Sequence, residues 1–182
     1  VGMLIKKAFK GHVDLLGPAT KVQEELMGIP SFDTPDYTEL FSEEKEMIAK
    51  LKKAFLMVAG GAVQKYGPDL DGHQQLLMAA ADILIEIYMA ESTILRTEKL
   101  AKKEGESKVP EQIAMAKLYL YKAVDIVTQK GKESIISFAE GDEQRMMLMG
   151  LRRFTKYTNM PNIVGLRETI TTKLVAENAY CF

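Results

Sequence analysis

The sequence contains no tryptophan, a single cysteine and no long apolar run. That cysteine, Cys181, excludes a disulfide framework within the chain and fits a reducing compartment, so we expect a cytoplasmic protein. A membrane-spanning helix needs about 18 or more consecutive apolar residues, and the sequence offers neither such a run nor a signal-peptide pattern. With a net charge of -1, the chain also lacks the strongly basic face typical of nucleic-acid binding.

The composition that remains is typical of a folded helical protein. Hydrophobic residues make up 47% and charged residues 27% of the 182 positions, enough for one domain with a substantial core. The eleven methionines fall mostly within helical apolar stripes, so we expect them to fill the core. The chain begins at Val1 rather than at a methionine, which favours processing or a fragment of something longer.

Apolar residues recur every three or four positions through most of the chain, and no segment alternates with the period of a strand. We expect a helical connector over 1–30, broken at the "GPAT" that contains Pro18, a linker over 31–41, and a helical bundle domain over 42–182. Short connections favour antiparallel neighbours. The predicted fold is therefore all-α, an antiparallel helical bundle of four main helices plus shorter terminal helices.

Capping residues and helix breakers set the expected boundaries. Ser42 is expected to cap a helix that ends at the "YGPDLDG" turn. Asp69 or Asp71 is expected to cap the longest helix, with His73 in its first turn. Two later helices are expected to begin near Pro110 and Pro161, and Asp142 is expected to cap a shorter helix between them.

The longest helix, about 70–104, carries a broad apolar stripe that is typical of a central bundle helix. The stripe comprises Leu76, Leu77, Ala80, Ile83, Leu84, Ile87, Ala90, Glu91 and Ile94. The helix after it has a similar stripe, which comprises Ile113, Ala116, Leu120, Val124, Val127, Ile135 and Phe138.

Gly60 and Gly61 form a pair that could belong to a phosphate-binding loop. Such loops place their glycines between a strand and a helix, so that backbone N–H groups point at the anion. This pair lies inside a helical pattern, "FLMVAGGAVQKY", and no GK[ST] follows. Close packing of the helix against a neighbour is the favoured interpretation.

The two histidines do not stand in a metal-binding pattern. The Glu-x-x-His pairs of bundle di-iron sites fail here, because Phe9 and Leu70 occupy the positions three before His12 and His73. Zinc needs closely spaced cysteine and histidine ligands, which one cysteine and two distant histidines do not supply. We predict no metal site.

Asp82 and Glu86 lie four positions apart on one helix face, where paired carboxylates could share acid–base work if burial raised one pKa. A solvated or partner-facing stripe is the favoured interpretation. Nucleophilic catalysis is not indicated either, since there is no GxSxG motif and Cys181 has no histidine near it in the sequence.

Two basic stretches remain as surface candidates. The N-terminal "MLIKKAFKG" could rest on a membrane surface or dock on another protein domain, and the pattern fits both. A second group could contact an anionic ligand or another domain, although a charged outer face is favoured. This group comprises Arg145, Arg152, Arg153 and Lys156.

The long helix "HQQLLMAAADILIEIYMAESTILRTEKL" resembles the C-terminal extension of the very-long-chain branch of flavin-dependent acyl-CoA dehydrogenases. The preceding "GGAVQKYG" and the closing "LVAENAYCF" are similar to bacterial members, so the resemblance covers essentially the whole chain. These are helix-packing positions rather than a chemical signature. The residues in register are Gln74, Ala81, Asp82, Ile85, Tyr88 and Arg96.

The resemblance implies a C-terminal piece of a larger enzyme that oxidises the Cα–Cβ bond of an acyl-CoA thioester in fatty acid β-oxidation. It places the glutamate base, the flavin contacts and the acyl pocket upstream, so no catalytic, cofactor-binding or metal-binding residue is carried over, not even Asp82 or Glu86. It implies FAD in the parent and none in this chain. The implied partners are the catalytic part of the same polypeptide, a second copy in a homodimer and an electron-transferring flavoprotein.

On this interpretation the chain alone is inactive and serves packing, assembly or localisation. The alternative is a stand-alone helical protein that binds an acyl chain or a partner helix in a methionine-rich groove.

Overall fold

The computed structural model describes residues 2–28 and 37–182. Within these ranges the backbone forms seven α-helices and two short 3₁₀ segments, with no strand, so the predicted all-α fold is confirmed. The helices are α1 (Gly2–Phe9), α2 (Leu16–Met27), α3 (Ser42–Tyr66), α4 (Gln74–Glu104), α5 (Pro110–Phe138), α6 (Gly141–Phe154) and α7 (Ile163–Glu177).

Helices α3, α4 and α5 pack against one another in pairs and form the centre of the bundle. Helix α6 packs on α3 and α5, α2 packs on α3, and α7 packs on α5. Ion pairs show that α3 and α4 run antiparallel: Lys45 Nζ lies 2.8 Å from Glu98 Oε2, and Lys52 Nζ lies 2.6 Å from Glu91 Oε1. Later residues on α3 therefore meet earlier residues on α4.

The predicted apolar stripes of α4 and α5 join the buried face of α3 in one core. Fully buried members include Leu51, Ile83, Ile94, Leu120 and Ile135, and the core continues through α6. Leu77 and Leu84 of the predicted stripe are only partly buried and pack at its edge.

Gly60 and Gly61 lie inside α3, where it meets α2 and α6, and the predicted close packing is confirmed. A Cβ atom on Gly61 would lie 2.8 Å from Met147 Cε and 2.9 Å from Phe138 Cε2. A Cβ atom on Gly60 would lie 2.8 Å from the Cβ of Ala19. Side chains at these positions would force neighbouring helices apart.

The start of α4 differs from its predicted start. Gly67, with a φ of 50°, leads into a 3₁₀ segment over Gly67–Gly72, and the His73 N–H donates to the Leu70 carbonyl at 3.0 Å. His73 itself is the N-cap residue of α4, so the prediction that Asp69 or Asp71 caps the helix was wrong. Both aspartates lie within the 3₁₀ segment, because the Gly-Pro stop is followed by a full turn before α4 begins.

Ser42 is the first helical residue of α3 rather than its cap, and its hydroxyl donates to the Glu39 carbonyl at 2.8 Å. The cap position belongs to Phe41, which is 2% exposed and has a φ of 65°. Phe41 is also the last residue of the predicted linker, and it belongs to the hydrophobic core. Residues 31–36 of that stretch lie outside the described residues.

The other predicted starts are right to within a few residues. Pro110 is the first residue of α5. The prediction that Asp142 caps α6 was wrong, because Asp142 lies in the first turn of that helix and the cap position is Glu140. Pro161 precedes Asn162, the cap of α7, whose side-chain oxygen accepts from the Gly165 N–H at 3.1 Å.

The predicted break at "GPAT" lies elsewhere. The helix is interrupted at residues 10–15, and Gly17 and Pro18 stand in the first turn of α2. The three-part division at residues 30 and 41 stays a prediction, although α2 packs on α3 and places Val22 in the core.

Candidate functional site: the outer face of helix α4

The histidines are not brought into a ligand cluster. The His73 ring stacks on Tyr66 with 3.6 Å between ring centroids, which fixes the corner between α3 and α4. His12 is exposed in the turn after α1. Within residues 2–28 and 37–182, no group of three or more His, Cys, Asp or Glu side chains could hold a metal ion. The absence of a metal site stays a prediction for the chain.

The paired carboxylates of α4 face different partners on α5. Asp82 Oδ2 lies 3.8 Å from Lys130 Nζ at an exposed position. Glu86 accepts a 3.0 Å hydrogen bond from the Tyr119 hydroxyl, and burial together with this bond raises the pKa of Tyr119 above its usual value. The two groups join helices, and the structure does not arrange them as an acid–base pair.

The basic residues of α6 are dispersed rather than gathered into one site. Arg145 pairs with Asp142 at 3.3 Å on the exposed face. Arg153 reaches α2, where its guanidinium donates to the Glu25 carbonyl at 3.4 Å and lies 4.0 Å from the Glu25 carboxylate. Arg153 therefore ties α6 to α2, and Arg152 and Lys156 are exposed.

A small cleft of about 210 Å³ lies where α3, α5 and the turn before α7 meet. Lys117 Nζ lies 2.9 Å from Glu44 Oε1 at one wall, and the Asn159 N–H donates to Glu43 Oε1 at 2.6 Å at another. The Tyr157 hydroxyl is buried and has no hydrogen-bond partner among the described residues. Burial, with the nearby Glu44 and Asp125 carboxylates, raises the pKa of Tyr157 well above its usual value.

The most distinctive surface of the domain is the outer face of α4, which points away from the core. Its residues repeat with alternating steps of three and four, which places them in one line along the helix. We call this line the outer stripe. It comprises Met78, Ala81, Ile85, Tyr88, Ser92, Leu95 and Lys99.

The large apolar members of the outer stripe are open to solvent. Met78 is 65% exposed, Ile85 56%, Tyr88 67% and Leu95 52%, and Met89 beside them is 44% exposed. A helix of a closed bundle normally exposes a polar face opposite its core face. Helix α4 is instead apolar on both faces, a pattern that indicates a surface covered by another protein element.

Helix α1 lies at the N-terminal end of this face. Lys6 Nζ is 2.7 Å from Asp71 Oδ2, which fastens α1 to the 3₁₀ segment before α4. A cleft of about 410 Å³ separates the two helices, and Met3, which is 73% exposed, stands at its edge. The α4 side of the cleft includes Gln74, Leu77, Met78 and Ala81.

The outer stripe was not predicted from the sequence. Only the near-heptad stripe on the inner face of α4 was identified there, and the second stripe lies on the opposite face. The signal was present: Met78, Ile85 and Ser92 follow one another at seven-residue intervals, as do Ala81, Tyr88 and Leu95. Most residues on which the family resemblance rests also lie on this outer side. Gln74, Asp82, Ile85, Tyr88 and Arg96 are all exposed, so they do not pack inside this bundle.

None of the described helices combines the length and hydropathy that a membrane span requires.

Comparison with known proteins gives one consistent result. Residues 50–153 match the family described as acyl-CoA dehydrogenase, C-terminal domain. A probable acyl-CoA dehydrogenase of Bacillus subtilis (strain 168) is 36% identical over 173 residues, which are 95% of this chain and 29% of that protein.

A solved structure extends the likeness to the whole fold. The crystal structure of acyl-CoA dehydrogenase complexed with FAD from Bacillus anthracis superposes with a TM-score of 0.88 at 35% identity. The match covers 100% of this chain and 30% of that one, so the chain spans less than a third of the relatives' length. The chain belongs to the acyl-CoA dehydrogenase C-terminal domain family.

Proposed function

We propose that this chain is the non-catalytic C-terminal helical domain of a longer, FAD-dependent acyl-CoA dehydrogenase, and that it serves packing and assembly. The observation that carries the proposal is the match of the whole chain to 30% of an FAD-complexed relative, at a TM-score of 0.88. The proposed parent removes hydrogen across the α,β bond of a fatty acyl-CoA. Membership of the very-long-chain branch is part of the proposal.

The part of the domain that the structure describes, residues 2–28 and 37–182, offers no cleft or loop that fits the flavin itself. Asp82 and Glu133 line the cleft of about 300 Å³ between α4 and α5, and Lys130 of the same cleft is paired with both at 3.8 and 3.5 Å, so the lining keeps a net negative charge that disfavours the pyrophosphate of FAD. Gly60 and Gly61 are inside a helix, so their N–H groups are not free to cradle phosphate. We therefore assign FAD and the catalytic base to the preceding part of the parent, and no chemical step to this chain.

The proposal extends to the parent's surroundings. It includes a homodimer, an electron-transferring flavoprotein as electron acceptor, a role in β-oxidation and a cytoplasmic location, which are what the family resemblance implies. The neutral balance of charge, -1 overall, is consistent with protein partners rather than with nucleic acid.

The proposal is tested on the intact polypeptide that contains this chain. Anaerobic addition of a long-chain acyl-CoA should bleach the flavin absorbance of the purified protein, with the enoyl-CoA as product. A flavin spectrum that does not respond to acyl-CoAs of any chain length would contradict the proposed reaction.

A second candidate function is favoured by the exposed methionines Met78 and Met89: a stand-alone protein that binds a partner helix or an acyl chain on α4. It predicts saturable heat when the 182-residue chain is titrated calorimetrically with palmitoyl-CoA. Absence of binding at millimolar ligand would remove the acyl-chain version of this alternative.

A further inference from the structure

We infer that the outer stripe of α4 is the surface on which the preceding, catalytic part of the same polypeptide docks. The inference rests on the proposed function, since it requires a longer parent. It adds the face of the domain that forms the contact and the part of the chain that covers it.

Helix α4 carries apolar side chains on two opposite faces. Its inner face contributes Ile83, Ile87 and Ile94 to the core, each at most 2% exposed, while the opposite face exposes Ile85 and Tyr88 by more than half. Fully burying one such side chain is worth about 1.5–3 kcal/mol. A protein element that covers this line of side chains would therefore gain binding free energy from their burial.

The exposed apolar side chains on α7 do not form a line comparable to the outer stripe of α4. On α7, Val164 and Val175 are exposed, but Glu168 and Thr171 stand between them on the same side of the helix. The stripe on α4 has its one charged member, Lys99, at its C-terminal end. Of the six positions before it, five are apolar or aromatic and one is the small residue Ser92, and such a seam is the arrangement that helix-on-helix packing uses.

The position of α1 indicates which part of the polypeptide covers the outer stripe. Helix α1 lies beside the N-terminal end of the stripe, where Lys6 Nζ is 2.7 Å from Asp71 Oδ2. A chain that precedes α1 in a longer parent therefore enters at the cleft bounded by Met3 and Met78. The catalytic part is connected at this point, which gives it a high effective concentration at the stripe compared with any separate molecule.

Charge favours a protein surface over a lipid one. Charge on the outer side of α4 is mixed, with Asp82 and Glu86 beside its N-terminal half and Arg96 and Lys99 in its C-terminal half, a pattern that suits a protein surface better than a uniformly anionic membrane. The two carboxylates already contact Lys130 and Tyr119 of α5, so a helix can pack over the N-terminal half of the stripe without leaving these two carboxylates unpaired.

The test uses the intact polypeptide with p-benzoylphenylalanine in place of Tyr88, which is 67% exposed. Irradiation and peptide mass spectrometry should identify cross-links from position 88 to peptides that precede Val1. The same substitution at Tyr180, 86% exposed and off the stripe, is the control and should give a much lower yield of those peptides. Cross-links between two α4 peptides, cross-links to added phosphatidylcholine vesicles, or no cross-link at all would each overturn the inference.

A pair of matched variants gives an independent measurement. Ile85→Glu and Ile136→Glu place the same charge at isoleucines that are 56% and 53% exposed, on α4 and α5. In the intact polypeptide we expect Ile85→Glu to lower the unfolding midpoint of this domain by roughly 4 °C and Ile136→Glu to leave it nearly unchanged. Equal effects of the two variants would contradict docking on α4.

The flavin spectrum of the same preparations distinguishes a failure of the proposed function from a failure of the proposed docking face. An intact polypeptide without flavin would refute the proposed function, whatever position 88 contacts. A flavoprotein in which position 88 contacts nothing upstream would leave the proposed function standing and refute the docking face.

Discussion

Gly60 of α3 lies so close to Ala19 of α2 that a Cβ atom on the glycine would come within 2.8 Å of the alanine Cβ. Real Cβ atoms do not approach one another so closely. The two helices are therefore in contact almost at the level of their backbones. Helix α2 is held to the bundle by this contact, by Val22 in the core and by the 2.7 Å pair between Lys53 and Glu25.

The first prediction concerns this contact. Glycine to alanine in an exposed helix interior normally stabilises a protein by about 1 kcal/mol. At position 60 we expect the opposite, a loss of roughly 1–3 kcal/mol, because the new methyl group must push α2 away. Urea denaturation of the 182-residue chain measures the change in the free energy of unfolding.

Gly72→Ala is the control, because a Cβ atom at Gly72 meets no other atom within 4 Å. We expect it to change the free energy of unfolding by less than about 0.5 kcal/mol. Combining Gly60→Ala with Ala19→Gly should recover part of the loss, as a double-mutant cycle with a favourable coupling energy. Additive effects of the two substitutions would show that the glycine and the alanine do not contact one another.

The second prediction concerns the buried hydroxyl of Tyr157, which has no hydrogen-bond partner among the described residues. Burying an unpaired hydroxyl costs free energy, so Tyr157→Phe should leave the domain as stable as before or more stable by up to about 1 kcal/mol. Thermal unfolding at pH 7 measures the change. A clear loss of stability would show that the hydroxyl has a partner.

Because the pKa of Tyr157 is raised, the stability difference between Tyr157→Phe and the wild type should depend on pH. Burial raises its pKa in the folded protein above the value of about 10 that it has when unfolded. The folded state keeps the proton while the unfolded state loses it, so the wild type loses stability as the pH rises above about 10. Tyr157→Phe should lose less over that range, whereas Tyr180→Phe, at an exposed tyrosine, should behave like the wild type.

The third prediction concerns Glu98, whose carboxylate lies 2.8 Å from both Lys102 and Lys45. The hydrogen bonds from Lys102 and Lys45 lower the pKa of Glu98 below its usual value. Its contribution is thus fully present above the unfolded pKa of about 4.3 and is lost as the pH falls through the lower, folded pKa. Glu98→Gln should cost no more than about 1 kcal/mol at pH 7.

The cost of Glu98→Gln should shrink as the pH is lowered below about 4, and it should shrink at pH 7 when salt is added. Urea midpoints at several pH values check both effects. Glu106→Gln, in the exposed turn after α4, is the control. A cost of Glu98→Gln that does not depend on pH would indicate a packing role instead of an electrostatic one.

Much of the fold can be predicted from the sequence, because the spacing of apolar residues indicates where amphipathic helices form. The inner stripes of α4 and α5 were predicted in the right register, since burial at every third or fourth residue is a local pattern. Close packing at Gly60 and Gly61 was also predictable, because a glycine pair inside a helix has few other uses.

Other features could not be read from local pattern. Phe41 lies in a stretch rich in turn-forming residues, yet it is buried in the core with a φ of 65°, an arrangement that only the packed bundle imposes. The start of α4 was misplaced because a Gly-Pro stop does not reveal whether a 3₁₀ turn follows. The exposure of Ile85 and Tyr88 required the fold, since sequence alone does not say which of two apolar faces is covered.

The central claim is that this chain is a domain without catalytic groups in a flavoenzyme. The most direct measurement is the visible absorbance spectrum near 450 nm, recorded for the purified intact polypeptide and for the 182-residue chain alone. The account predicts about one FAD for each intact polypeptide and a colourless isolated chain. Stoichiometric flavin retained by the isolated chain, or an intact polypeptide without flavin, would contradict it.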